Sequence, residues 1–239
     1  MSTKRVAHKL GNVLCVVATV LLVVAAAIAV PILLRPFYYM QIGPLGLERS
    51  TGLERAVIRQ AYDQVMDYLV LGRPFGTGQL AYSAAGKSHF EDCRGLFVLD
   101  FWVIGATTGL LLLLWALRAL ARRGQPSLSV PRQRQDHLPV FWVAVLCCAL
   151  FVVLAVWGAV SFDSLFTAFH RVFFPGKTNW VFDPAQDAII NILPQRFFLH
   201  CAALIVGIIF VACLCFFVVD ARWRRRQTDT GGLRWRRRY

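Results

Sequence analysis

The chain contains 239 residues, of which 57% are hydrophobic, and its formal net charge is +13. It has no P-loop, no dinucleotide-binding glycine pattern and no zinc-finger spacing, which excludes the nucleotide-binding and zinc-finger classes defined by those motifs. Six of the seven cysteines lie in apolar segments and only Cys93 lies outside them, which argues against a disulfide scaffold.

Four apolar segments are long enough to cross a bilayer, which needs about 20 residues in a helix. They are residues 10–34, 96–117, 138–162 and 197–219. Each must be helical, because the lipid core offers no partner for a free backbone amide. The first could be a signal peptide, but it exceeds the usual apolar region of about 7–15 residues, so we expect a retained span. The sequence predicts an all-α integral membrane protein, with residues 1–239 forming a single membrane domain.

Basic residues are concentrated in residues 1–9, 118–137 and 220–239, which hold 16 Lys and Arg against three Asp. The rest of the chain holds ten basic and ten acidic residues, so the whole formal excess falls on one side of the membrane. The positive-inside rule makes that side cytoplasmic, with both termini inside. The basic tail directly follows a span, so we interpret it as a topology signal that binds anionic lipid rather than nucleic acid.

The first outward segment, residues 35–95, contains two capping-box patterns. Thr51 and Glu54 predict a helix that continues to about Leu71. Ser88 and Glu91 predict that the second membrane helix begins at residue 89. Asp100 then lies about 16 Å deeper in the membrane than His89, on the same face of the helix. A polar cavity there would keep its carboxylate away from lipid.

The second outward segment, residues 163–196, begins with a helical stretch in which phenylalanines recur at spacings of three and four. His170 lies beside that aromatic face, and Pro175-Gly176 ends the stretch. Asp183, followed by a proline, predicts the N-cap of a short helix. Both outward segments are too long for simple connectors, so we expect them to form a small extracytoplasmic cap.

His89 and His170 lie in the two outward segments. Histidine readily gives and takes a proton near neutral pH, so the pair suggests acid/base chemistry at the bilayer surface. Asp187 is the carboxylate least explained by capping, and we predict that it orients His170. A single histidine at a membrane interface is more often a polar anchor than a catalyst.

Three other interpretations remain open. A zinc-dependent membrane hydrolase could use both histidines and one or two carboxylates, although no short ligand pair supports a metal site. Ser88 or Cys93 could act as a nucleophile. A non-catalytic membrane protein that binds lipid or holds a partner would explain the interfacial aromatic residues and the basic tail.

The outward motifs and the four-span layout resemble the lipoprotein intramolecular transacylase (Lit) family. The positions that carry the resemblance precede the second and fourth spans and combine histidine, aromatic, acidic and proline residues. They are His89, Phe90, Asp92, Phe169, His170, Phe173, Trp180, Asp183, Asp187, Pro194 and Phe197.

The resemblance implies an acyltransferase in a bacterial cell membrane, with its active site on the extracytoplasmic face. Such an enzyme moves the sn-2 acyl chain of a diacylglyceryl lipoprotein to the α-amino group of its N-terminal cysteine. The expected partners are the lipoprotein substrate and membrane lipid, and no cofactor is needed. The catalytic residues would be His89 and His170, and the supporting residues would be Asp92, Trp180, Asp183 and Asp187.

We predict that the two histidines face one another. His170 would be the base, with Asp187 holding its second ring nitrogen. His89, placed in the first turn of a helix, would be the acid because the positive end of the helix dipole favours proton loss. The residues also allow these two roles to be exchanged.

Overall fold

The computed structural model describes residues 3–123 and 137–236. Within these ranges every regular element is helical. The α-helices are α1 (Thr3–Leu33), α2 (Arg35–Tyr39), α3 (Leu47–Thr51), α4 (Arg55–Met66), α5 (Ala84–Arg123), α6 (Pro139–Val160), α7 (Phe162–Phe173) and α8 (Gln195–Arg236). A π-helical turn, Asp67–Leu71, extends α4, and a 3-10 helix covers Ala188–Asn191. Most of the basic inward loop, residues 124–136, lies outside the described residues.

Four helices are long and apolar enough to cross a membrane, as predicted. Their spanning portions are Leu10–Leu33, Ala84–Leu120, Pro139–Val160 and Gln195–Arg226. The chain divides into two compact units, and the division falls within α1, α5, α6 and α8. One unit contains residues 25–102 and 153–207, and therefore includes both predicted outward segments.

The unit that contains both outward segments has an aromatic core. The rings of Tyr38 and Tyr62 are stacked with their centroids 3.8 Å apart, and Phe197 meets Tyr38 edge-on at 5.1 Å. The Tyr38 hydroxyl donates to the carbonyl of Ile192 at 2.8 Å, which satisfies the polar end of a fully buried ring. This bond joins α2 to the segment just before α8.

Helix α4 buries its apolar face in this core, including Ile58, Tyr62 and Val65. The sequence alone left open whether this helix would lie on the membrane. Its predicted end at Leu71 is confirmed by Gly72, which has φ of 70°. The capping box predicted for Thr51 and Glu54 is wrong, because it does not form at the start of α4.

The reason for the missing capping box is that Thr51 ends the preceding helix α3. Its hydroxyl donates to the carbonyl of Leu47 at 2.6 Å and accepts from the amide of Leu53 at 3.2 Å. Glu54 is the N-cap of α4 but makes no capping bond with its side chain.

The second capping-box prediction is also wrong, because α5 begins at Ala84 rather than at residue 89. Ser83 is the N-cap: its hydroxyl accepts from the amide of Gly86 at 2.9 Å, and its carbonyl accepts from the amide of Lys87 at 3.0 Å. His89 is therefore the sixth residue of the helix and lies beyond its first turn. The helix dipole acts mainly within that first turn, so it gives little support to an acid role for His89.

The other unit contains residues 1–24, 103–152 and 208–239. In its described part, Asp220 accepts from the amide of Leu138 at 2.7 Å and lies 2.9 Å from Nδ1 of His137. The carboxylate thereby caps the start of α6 from α8. Arg118 donates to Asn12 at 3.1 Å, which connects α5 to α1 within this unit.

Candidate active site

The structure brings His89 and His170 together, although they are far apart in the sequence. Their ring centroids are 5.7 Å apart and their planes are inclined by 33°. Each residue is only 6% exposed. Two imidazolium charges this close and this buried would repel one another, so the arrangement favours at most one protonated ring.

Helix α7 fixes the ring of His170 through its own backbone. Nδ1 lies 2.7 Å from the carbonyl oxygen of Phe166, one helical turn earlier. A carbonyl can only accept, so Nδ1 carries the proton and Nε2 of the neutral ring is the free acceptor. Burial lowers the pKa of His170, and the hydrogen bond to Phe166 opposes this effect in part. The result is a neutral imidazole whose Nε2 is suited to accept a proton.

Trp180 covers one face of His170, with ring centroids 4.6 Å apart and planes inclined by 29°. The indole nitrogen donates to the carbonyl of Lys177 at 3.0 Å, which holds the indole in a fixed orientation. Trp180 was predicted as a supporting residue, and the structure gives it a direct contact with His170.

Aromatic rings enclose His89. Phe174 and Phe182 meet it edge-on at centroid distances of 5.0 Å and 5.5 Å. Nε2 lies 3.4 Å from the sulfur of Cys93, one turn later on α5. Nδ1 is buried and has no hydrogen-bond partner among the residues that the structure describes. A buried polar atom without a partner is costly, so Nδ1 is the ring nitrogen left for a ligand.

Asp92 anchors the chain that follows α7. Its carboxylate accepts from Lys177 and, at 3.0 Å, from the side-chain amide of Asn179. The same amide nitrogen lies 3.4 Å from the hydroxyl of Ser88. Asp92 thus acts on the site by holding the segment that carries Trp180.

Asp187 has different partners from those predicted. Its carboxylate accepts from the amide of Ser83 at 2.7 Å and from the Ser83 hydroxyl at 2.9 Å. The predicted support of His170 by Asp187 is therefore wrong, since the carbonyl of Phe166 takes that place. Asp187 is 4% exposed and holds the start of the helix that carries His89.

Asp183 supports a turn and not a helix. Its carboxylate accepts from the amide of Ala185 at 3.0 Å, and its carbonyl accepts from the amide of Asp187 at 2.7 Å. The predicted short helix appears only later, as the 3-10 helix Ala188–Asn191. Asp183 helps to set the position of Asp187.

Residues 177–187, which we call the strap, run beside the start of α5 and are held at both ends. The end at Lys177 and Asn179 is bound to Asp92, and the end at Asp187 is bound to Ser83. Phe182 lies between these two attachments and contacts His89. The strap therefore crosses the face of α5 that carries the histidine.

Sequence reasoning missed two supporting groups in addition to the role of Ser83. The carbonyl of Phe166 could have been found, because residues four apart meet on a helix. Phe182 carried no signal, since only the folded strap places it against His89. His200, by contrast, has a different partner, because its Nδ1 is 2.6 Å from the side-chain oxygen of Gln41.

In residues 3–123 and 137–236, no group of three or more His, Cys, Asp or Glu side chains is arranged to hold a metal ion.

The fold and the site define the class of protein: a membrane-integral helical protein with a buried histidine pair suited to acid/base chemistry. The chain is similar to the membrane integral lipoprotein intramolecular transacylase Lit from Bacillus cereus, with a TM-score of 0.78 and 21% sequence identity. The match covers 93% of this chain and 97% of that chain.

Two further structures of the Bacillus cereus protein are also similar. The one with a histidine-to-arginine mutation matches with a TM-score of 0.74 and 20% identity over 95% of this chain and 96% of that chain. The one with a histidine-to-alanine mutation has the same TM-score and identity over 94% of this chain and 97% of that chain. No curated protein matches the sequence significantly.

The family model described as lipoprotein intramolecular transacylase Lit matches residues 13–198, which is most of the chain. The protein therefore belongs to the lipoprotein intramolecular transacylase (Lit) family. It is an acyltransferase.

Proposed function

We propose that this enzyme moves the sn-2 acyl chain of a diacylglyceryl lipoprotein to the α-amino group of the lipoprotein's N-terminal cysteine. The product is N-acyl, S-monoacylglyceryl lipoprotein. The family supports the reaction class, and the single observation that carries the mechanism is the buried pair of facing histidines, 5.7 Å apart. Both reacting groups belong to one substrate molecule, so the entropic cost of bringing them together is largely removed.

The first step is the attack of the amine on the ester carbonyl. An α-amino group has a pKa of about 8, so it must reach the site neutral or lose a proton there. We assign His170 as the base, because its Nδ1–H is bound to the carbonyl of Phe166 and its Nε2 is free to accept. As the new C–N bond forms, the amine proton moves to Nε2.

The second step is the loss of the glycerol oxygen from the tetrahedral intermediate. We assign His89 to this oxygen, because its Nδ1 is buried without a partner and can donate when protonated. The proton held by His170 first passes to Nδ1 of His89, and the short distance between the rings favours this transfer. The C–O bond then breaks as the glycerol oxygen takes that proton from Nδ1, so that only one ring is protonated at a time.

We place the enzyme in the bacterial cell membrane with both termini in the cytoplasm. Residues 35–95 and 163–196 would then form an extracytoplasmic cap, on the side to which lipoproteins are exported. The charge distribution of the sequence supports this orientation.

The acyl shift is an isomerisation, so the mass of the lipopeptide does not change and the test must read the position of the acyl chain. A lipoprotein is co-expressed with the enzyme, and its N-terminal lipopeptide is fragmented by tandem mass spectrometry. With the wild-type enzyme, the lipopeptide should give N-acyl fragments. Its α-amine should no longer react with an amine-specific reagent. Persistent free amine with the enzyme present would refute the proposal, and released fatty acid would instead indicate a hydrolase.

The histidine assignment is tested with three matched variants. His170→Gln and His89→Gln should each reduce turnover at least about 100-fold, within the usual effect of general acid/base groups. His200→Gln removes a histidine of the same unit that is bound to Gln41, and it should retain turnover near the wild-type value. Equal effects of all three changes would refute the assignment.

A further inference from the structure

The side-chain amide of Asn179 has hydrogen-bond partners at its nitrogen but none at its oxygen among the described residues. Its side-chain nitrogen lies 3.0 Å from a carboxylate oxygen of Asp92 and 3.4 Å from the hydroxyl of Ser88. Its side-chain oxygen is buried and has no hydrogen-bond partner in the described part of the chain. Rotating the amide would place its oxygen against the Asp92 carboxylate, so the orientation is fixed by the donor requirement of that contact.

Asn179 lies next to residues that surround both histidines. Its partners Ser88 and Asp92 flank His89 on α5. Its neighbour in the chain, Trp180, is stacked on His170. Asn179 therefore lies in the part of the strap that connects the surroundings of the two rings.

We propose that the side-chain oxygen of Asn179 binds the attacking α-amine of the substrate. This inference rests on the proposed acyl shift. A neutral primary amine has two N–H groups and one lone pair. One N–H can donate to Nε2 of His170 and the other to the oxygen of Asn179, which directs the lone pair at the ester carbon. Asn179 is thus a positioning residue for the nucleophile and takes no proton itself.

The unsatisfied oxygen of Asn179 favours binding of a hydrogen-bond donor at this point of the site. Leaving a buried acceptor without a partner disfavours the free enzyme, and a donor from the substrate removes that penalty on binding. Asp92 has a separate part in this arrangement, because it orients the amide through its nitrogen and does not meet the proposed ligand atom.

The test uses two synthetic diacylglyceryl lipopeptides that differ only at the α-amine: one has a primary amine and the other an N-methyl amine. The N-methyl amine has a single N–H and cannot donate to both acceptors. The wild-type enzyme should turn it over roughly 10- to 100-fold more slowly, as expected for loss of a hydrogen bond to a buried group. Equal kcat/KM for the two lipopeptides on the wild-type enzyme would overturn the proposal without depending on any variant.

The variants separate binding of the amine from support of the strap. Asn179→Ala should lower kcat/KM for the primary amine roughly 10- to 100-fold and abolish most of the difference between the two lipopeptides. Lys177→Ala removes the ion pair at the same end of the strap but keeps the bond between Asn179 and Asp92, so it should lower activity while preserving that difference. If the ratio of kcat/KM between the primary-amine and N-methyl lipopeptides were the same in Asn179→Ala as in the wild type, the assignment would be overturned. Wild-type enzyme that converts neither lipopeptide would refute the acyl shift as well, whereas normal conversion with an unaffected Asn179 variant refutes the assignment alone.

Discussion

Both carboxylate oxygens of Asp187 bind Ser83, one through the backbone amide at 2.7 Å and the other through the hydroxyl at 2.9 Å. Ser83 is the N-cap of α5, and its own hydroxyl accepts from the amide of Gly86. A carboxylate at this end of a helix is favoured by the unpaired amides and by the dipole. The start of the helix that carries His89 is therefore held by a residue from the strap.

The first prediction concerns this attachment. Asp187→Asn should lower the free energy of unfolding by about 1–3 kcal/mol, because a buried charged acceptor is replaced by a weaker one. Ser83→Ala should cost about 1 kcal/mol, since the backbone amide bond to Asp187 survives. Thermal unfolding in detergent measures both. Asp183→Asn alters an exposed carboxylate of the same strap and should have a smaller effect than Asp187→Asn; the reverse order would contradict this account.

The second prediction concerns Gly86, which lies directly under the Asp187 carboxylate. A Cβ at this position would be 2.1 Å from a carboxylate oxygen and 3.1 Å from the ring of Phe182. Gly86→Ala should therefore destabilise the protein by about 1–3 kcal/mol and reduce activity with it. Gly95 of the same helix has no atom within 4 Å of such a Cβ, so Gly95→Ala is the matched control. A lower melting temperature for Gly95→Ala than for Gly86→Ala would refute the prediction.

The third prediction is a pH dependence of stability that depends on His170. Burial lowers the pKa of His170 below its ordinary value of about 6.5, so the unfolded chain binds the proton more readily than the folded one. The contribution of His170 is thus fully present above pH 6.5 and is lost as the pH falls towards the lowered pKa. His170→Gln removes this contribution, so its melting temperature should fall less between pH 7 and 5 than that of the wild type. His200→Gln should keep the wild-type dependence.

The fourth prediction concerns orientation in the membrane. In a cysteine-free variant of the enzyme, Gln79→Cys should react with an impermeant maleimide applied to intact cells, because residue 79 is exposed in an outward segment. Ser127→Cys, in the basic loop outside the described residues, should react only after the cells are opened. The opposite pattern would place the histidine pair on the cytoplasmic side and refute a role on exported lipoproteins.

The elements with strong apolar periodicity were predictable from the sequence. The four membrane helices and the end of the α4 region at Leu71 follow from local patterns, and so does α7. Helix starts were less predictable, because Ser83, Ser88 and Thr51 are all competent caps. Tertiary contacts determine which of them caps a helix. Asp187 binds Ser83, which caps α5, whereas the hydroxyl of Ser88 lies against the side chain of Asn179.

The proximity of His89 and His170 was predictable, whereas the groups that hold their rings were not. The sequence offered Asp187 as a partner for His170, because an unassigned carboxylate nearby is a reasonable choice. The folded chain uses the nearer carbonyl of Phe166, which any residue could supply and which composition therefore cannot reveal. The roles that we propose for the two rings depend on which nitrogen each has free, and this information exists only in the three-dimensional arrangement.

The strap has a consequence for the passage of the lipid. Because it is attached to α5 on both sides of His89, at Asp92 and at Ser83, it cannot swing away from that helix as a hinged flap would. Separation at one end requires loss of the bonds to Lys177 and Asn179, and at the other end loss of two bonds to a buried carboxylate. Of the two, the end at Lys177 is the more exposed, so it is the weaker attachment and the place where the site can widen. Under the proposed function, the residence time of the diacylglyceryl substrate should depend on ionic strength, since salt weakens an exposed ion pair far more than a buried hydrogen bond.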